Sequence, residues 1–340
     1  MNKTKQQIKH LWKLCFDDSE EFTELYFRLR YSNDVNIAIE SGEEVIAALQ
    51  MLPYPMTFGG REIATAYVSG ACTHPDYRNR GVMHELLSQA FARMLHSGIA
   101  LSTLIPAEPR LFSYYARHGY APVFRREATT YIAPDSPMPD ERYTLKTSNE
   151  YKTKMYDFLN RKLRERPYGI QHTEKDFRVV LADLRLSGGH VCMLCRDGEV
   201  SALAMAFPTS HHAWRIEEIV ADSSEAYSLL LQNICRKLEI PSIEVSASSG
   251  GKAGRPFGMA RIIHAKAMMQ LYAAFHPETE LNIRLTDEQI SANNGYYYLS
   301  NGKCMVSAKR LPGSHLALTV GELTAKLFEA SNPSMSLMLN

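Results

Sequence analysis

The sequence predicts an α/β protein with mixed α+β sheets, built as two similar strand-and-helix units followed by a small α+β unit. Three observations carry that prediction. An apolar run, Val68–Thr73, leads through a basic turn into an amphipathic helix. A linker marked by Pro134, Pro137 and Pro139 is followed by a partial repeat of the same order. Past Ala260 the chain turns to short alternating segments and tight turns. At 340 residues it is long enough for two or three domains, each with its own core.

Taken in order, residues 3–16 read as a helix, because Ile8, Leu11, Trp12 and Cys15 fall on one side. A second helix is expected over 20–29. Strands follow at 36–39 and 45–51. Gly59-Gly60 signals a hairpin that returns the chain as a strand over 63–73. The long helix begins at Val82, with Leu86, Leu87, Ala90, Phe91, Met94 and Leu95 along one stripe, and Ser97-Gly98 stops it. A strand at 101–105, a short helix at 108–117 and closing strands over 120–131 complete the first unit.

After the linker, a helix is expected at 152–163 and strands at 190–195, 200–207 and 214–220, with a tight turn at Asp197-Gly198. A helix at 226–238 follows. The Gly- and Ser-rich stretch 246–258 lacks the lysine-serine or lysine-threonine ending of a phosphate loop and reads as a connection. In the last unit a helix is expected at 268–274, strands at 281–285, 296–299 and 304–308, and a final helix at 319–328.

Composition narrows the function. Lys+Arg number 38 and Asp+Glu 37, so no strong field favours nucleic acid or a membrane surface as partner. No apolar run approaches a membrane span, and the first residues lack the apolar core of a signal peptide, so a cytoplasmic location is expected. The six cysteines are scattered. Cys192 and Cys195 lie three apart in a strand-like run, which points them to opposite faces, and no second pair or His cluster completes a zinc set. Buried, reduced cysteines and no metal are expected.

The segment Arg78-Asn79-Arg80-Gly81-Val82-Met83 carries the chemistry. A helix start offers unpaired N–H groups and partial positive charge. Gly81 lets a ligand approach the backbone, because it has no Cβ. With Arg78 and Arg80 this makes an anion site of the kind that holds a pyrophosphate. The corresponding join in the second unit, Ala221-Asp222-Ser223-Ser224-Glu225, has no glycine, no base and two acids. It is expected to bind no such anion.

The segment resembles the GNAT acetyltransferase superfamily, whose loop reads Gln/Arg-x-x-Gly-x-Gly/Ala between a strand and a long helix. Met83 departs from it, standing where a small residue is usual. Tyr115-Ala116-Arg117-His118-Gly119-Tyr120 matches the superfamily's Tyr-x-x-x-Gly-Phe/Tyr. The resemblance implies acetyl-CoA as cosubstrate, gripped by Arg78, Asn79, Arg80, Gly81, Val82 and Met83. It also implies a strand end at Ala71, Cys72 and Thr73 that supplies a backbone N–H to the thioester carbonyl. Tyr115 matches the general acid, with Tyr114 as the alternative.

Two GNAT-type units and a sterol-carrier-like tail resemble the enhanced-intracellular-survival (Eis) acetyltransferases. The implied domains are 1–135, 136–260 and 261–340, the first catalytic and the second without a CoA site. That family transfers acetyl to amines, including aminoglycosides and lysine side chains, and its members are often oligomers. Its chain terminus lies in the active site, which assigns the Asn340 carboxylate to the incoming amine. Met335, Leu337 and Leu339 would share one face of an extended segment, so the tail is expected to dock in protein. A scaffold or sensor that binds CoA without turnover stands as the alternative.

Overall fold

The computed structural model describes residues 3–134, 140–209, 213–248 and 254–339. Pro137 and Pro139 of the linker, the Gly250-Gly251 run and Asn340 lie outside the described residues. Packing divides the chain into two compact units, one comprising Met1–Phe124 and Pro256–Pro333, the other Arg125–Arg255 and Ser334–Leu339. Both are mixed α/β.

The first unit opens with α1 (Lys3–Cys15) and α2 (Glu20–Leu29). Ser19 caps α2 by accepting from the Phe22 N–H at 3.1 Å, and Glu20 and Glu21 suit the positive end of its dipole. β1 (Asn36–Ser41), β2 (Glu44–Phe58) and β3 (Arg61–Thr73) form an antiparallel meander. β2 runs past the expected end at Met51 and through Pro53 and Pro55. Its pairing with β1 stops at Gln50, so these prolines remove no hydrogen bond from that ladder. The β2–β3 register slips between Ala48 and Gln50, opposite Gly70 at φ +60°. A Cβ on Gly70 would lie 2.1 Å from the Trp12 ring, so this glycine is what lets α1 pack onto β3.

α3 (Val82–His96) crosses from β3 to β4 (Leu101–Leu104), which lies parallel to β3. Leu86, Leu87, Ala90, Phe91 and Met94 are buried on its stripe, each contributing roughly 1.5–3 kcal/mol for the large side chains. α4 (Pro109–Ala116) follows, and the chain leaves along β5 (Ala121–Ile132).

The second unit contains β6 (Tyr143–Ser148), α5 (Thr153–Arg164), β7 (Tyr168–Ile170), α6 (Glu174–Leu186), β8 (His190–Arg196), β9 (Glu199–Pro208), β10 (Trp214–Ala221), α7 (Ser224–Leu238) and β11 (Ser242–Ser248). Strands β6, β8, β9 and β10 pair antiparallel in that order, and β11 lies parallel to β10 after the α7 crossover. Cys192 packs in one core cluster and Cys195 in another, on opposite faces of β8, and all six cysteines are free thiols. β6, β7, α6 and β11 were not read from the sequence. The stretch read as a connection at 246–258 instead begins in the last residues of β11 and ends inside β12 (Arg255–Ile262).

The chain then returns to the first unit. β12 pairs antiparallel with β4, and α8 (Ala265–Phe275) follows. β13 (Leu281–Thr286), β14 (Gly295–Ser300), β15 (Lys303–Ser307) and β16 (Leu316–Thr319) form a four-stranded sheet in the order β15-β14-β13-β16, and α9 (Val320–Leu327) closes it. Arg261 ties these parts together. It donates to the His118 carbonyl at 2.8 Å and to Asp287 Oδ1 at 2.7 Å, with both charged side chains 1% exposed. Asp287 also accepts from the Gln289 and Ile290 N–H groups and from Asn293 Nδ2, so its carboxylate is satisfied on several sides.

The tail docks, as its apolar residues predict. Met335, Leu337 and Leu339 are 1%, 7% and 5% exposed. The expected extended alternation does not hold, because Leu337 sits at φ +57° and Ser334 and Ser336 are buried too. Polar partners explain the burial of the serines. Ser334 pairs with Gly169 of β7, the Ser336 carbonyl lies 2.9 Å from His172 Nε2, and the Ser336 hydroxyl donates to Glu218. Burial works to raise the Glu218 carboxyl, but Arg166, bonded to it at 2.7 and 2.9 Å, holds it below the usual range.

Among the described residues no helix is long and apolar enough to cross a membrane. Nor, among them, do His, Cys, Asp and Glu side chains gather into a group that could hold a metal.

Candidate active site

The β3–α3 turn is shaped by backbone conformation. Asn79 at φ +61° and Gly81 at φ +81° both adopt the left-handed region. Asparagine tolerates this better than most residues and glycine adopts it freely. Gly81 is the N-cap of α3, and among the described residues no side chain caps that helix. The N–H groups of its first turn are therefore left to a ligand or solvent. Nothing lies within 4 Å of where a Gly81 Cβ would stand, so the approach is open.

This turn opens into a cavity of about 800 Å³. Ala71, Cys72 and Thr73 from β3, Arg78, Asn79 and Gly81 from the turn, and Val82, Met83 and His84 from α3 line it. The far side is lined from Glu108, Arg110, Leu111, Tyr114, Tyr115 and His118, and α1 contributes Cys15. Among the described residues β3 pairs with β4 only as far as Tyr67, and Ala71, Cys72 and Thr73 on the unladdered edge beyond it line this space. The Thr73 Oγ1 is buried there without a hydrogen-bond partner among the described residues.

Every expected first-unit site residue lines this cavity except Arg80, whose guanidinium lies over the Tyr77 ring at 5.5 Å. Arg78 is not a free charge. Its Nε donates to the Thr73 carbonyl at 3.2 Å and its Nη2 to Cys15 Sγ at 3.7 Å, which fixes the guanidinium at the cavity wall. Tyr115 is 8% exposed, and burial, followed by Tyr114 and Cys72 nearby, pushes its phenol up to about 12. Tyr114 is half-buried and is also raised by burial. Either hydroxyl keeps its proton at neutral pH.

Sequence reading did not single out Cys15, His84 or His118. His118 is buried, and desolvation followed by the nearby His84 lowers it to about 4, so it stands neutral at pH 7. Its place in the Tyr115–Tyr120 segment, in the turn just past α4, was the available signal, and its ring lies 4.9 Å from that of Tyr114.

Residues 2–123 match the acetyltransferase (GNAT) domain family. A search among curated proteins gives no match. Among solved structures, a GCN5-related N-acetyltransferase from Anabaena variabilis superposes with a TM-score of 0.78 at 16% identity, covering 96% of this chain and 87% of that one. One from Kribbella flavida gives 0.76 at 18%, covering 96% and 86%. The Eis protein of Mycobacterium abscessus gives 0.73 at 13%, covering 97% and 88%. At these identities the shared property is the fold. Residues 2–123 are thus similar to the GNAT acetyltransferase domain, and the chain shares its fold over nearly its whole length with solved N-acetyltransferases.

Proposed function

We propose that the protein is an acetyl-CoA-dependent N-acetyltransferase acting on a primary amine by direct attack in a ternary complex. The observation that carries this reading is the uncapped, glycine-entered start of α3 opening into the same cavity as Tyr115. The residues present fit the cosubstrate. The first-turn N–H groups of α3, with Arg78 and Asn79, would hold the pyrophosphate. The unladdered β3 edge at Ala71, Cys72 and Thr73 and the orphan Thr73 hydroxyl would meet the polar arm and the carbonyl.

Bound acetyl-CoA supplies the activated acyl group. Tyr115 then acts as hydrogen-bond donor to the leaving sulfur. Its phenol at about 12 lies well above a thiol near 8.5, so its main contribution is to stabilise the developing charge, with net transfer uphill. The amine class is aminoglycoside-like, polyamine or lysine. Aminoglycosides, the sterol-carrier-like reading of residues 261–340 and the tandem GNAT-type reading of 1–135 and 136–260 are what the sequence resemblance to the Eis acetyltransferases implies. The Asn340 carboxylate is assigned to the incoming amine, as the resemblance to the Eis acetyltransferases implies.

A screen for CoA release over aminoglycosides, polyamines and lysine peptides tests the reading. Thiol release with one of these classes is the expected result. Thermal stabilisation by acetyl-CoA with no release on any amine would replace it with the scaffold reading.

A further inference from the structure

Trp12 seated on Gly70 brings the end of α1 to the end of β3. Cys15, the last residue of α1, is thereby packed against the cluster that contains Cys72. The Cys72 thiol donates to the Ala48 carbonyl at 3.8 Å, and the two sulfurs lie close enough to shift each other's titration in opposite directions. Arg78 Nη2 donates to Cys15 Sγ at 3.7 Å, and in its protonated form the Cys15 thiol donates to the Thr73 carbonyl at 3.4 Å. Both residues line the cavity, and Cys15 is only half-buried, so a small oxidant has a route to it.

We propose that Cys15 and Cys72 form an oxidation site, in which a hydroperoxide converts the pair to a disulfide in the wall of the cosubstrate cavity. The Cys15 thiolate attacks one peroxide oxygen. An S–O bond forms, the O–O bond breaks, and hydroxide leaves and is protonated to water. The Cys72 sulfur then attacks the Cys15 sulfenic acid. The S–S bond forms, the S–O bond breaks, and the departing hydroxide takes the Cys72 proton. The two sulfurs lose two electrons and the hydroperoxide gains them.

The division of labour follows from the surroundings. The neighbouring Cys72, opposed by burial and aided by Arg78, lowers Cys15 to about 6, so it is the attacking thiolate. Cys72 is raised by the neighbouring Cys15 and by burial, so it keeps its proton and resolves. Cys192, Cys195, Cys235 and Cys304 are all raised by burial, which leaves Cys15 alone among the six in being shifted down. The oxidation also neutralises the anion that Arg78 Nη2 contacts, while Arg78 Nε keeps its bond to the Thr73 carbonyl.

The site reaches beyond the acetyltransferase reading, and its test needs no acyl donor, so either can fail without the other. The full chain is treated with hydrogen peroxide at pH 7, its remaining thiols are blocked, and it is digested with trypsin. The expected product joins Leu14–Arg28 to Glu62–Arg78, lighter by two hydrogens and split by dithiothreitol. Cys72→Ala should stop at a Cys15 sulfenic acid that dimedone traps. Alkylation of the untreated protein by iodoacetamide should be fastest at Cys15, with a midpoint at about pH 6. Cys15 oxidised to sulfinic acid without the cross-link would overturn the proposal. So would a Cys15 that alkylates no faster than Cys304.

Discussion

The two strand-helix-strand crossovers of this chain have the same topology and opposite chemistry. In both, three antiparallel strands lead into a helix of 15 residues and then a parallel strand, β3–α3–β4 in one case and β10–α7–β11 in the other. α3 starts at Gly81 with no side-chain cap, next to two arginines and a cavity. α7 starts at Ser223, whose hydroxyl accepts from the Ala226 N–H at 3.1 Å. The neighbouring acids of α7 are also occupied. Asp222 pairs with Arg161 at 3.0 Å and Lys162 at 3.5 Å, and Glu225 with Arg142 at 2.9 Å. One helix start is finished by the protein itself. The other is left open among the described residues, and on the proposed reading the same crossover serves structure in one unit and binding in the other.

The largest effect should come from inverting the charge of the open start. Arg78→Glu with Arg80→Glu is expected to abolish acetyl-CoA binding, measured by calorimetry, while the thermal unfolding transition survives. Next in size is Tyr115→Phe, which removes the donor and keeps the packing. It should lower kcat by about 10²-fold with little change in acetyl-CoA affinity. Full turnover in Tyr115→Phe together with loss in Tyr114→Phe would move the role to Tyr114. The smallest effect is expected from Ser223→Ala, which makes α7 resemble α3 by deleting its cap. It should cost about 1 kcal/mol in denaturant unfolding and leave acetyl-CoA affinity unchanged.

The open start was legible in the sequence because all of its parts are local. Arg78, Gly81 and the stripe from Leu86 to Met94 lie within about five turns of chain, and periodicity reads such segments well. The closed start was legible for the same reason, as a join without glycine or base. What periodicity missed depends on distant partners. β6 and β11 are short strands whose alternation is fixed by β8, β10 and β5, and β11 runs into the Gly- and Ser-rich stretch that signals a loop. Cys15 reaches the cavity only because Gly70 admits the Trp12 ring, a contact across 58 residues that no local pattern encodes. The tail shows the intermediate case. Its burial followed from composition, whereas the left-handed Leu337 follows from the way Ser334 and Ser336 meet their polar partners.

The contrast between the two helix starts is tested most directly by calorimetric titration of the intact protein with acetyl-CoA. One binding site per chain is expected, retained in Ser223→Ala and lost in the Arg78→Glu, Arg80→Glu double variant. A stoichiometry of two per chain, or binding that survives the double variant, would contradict the account.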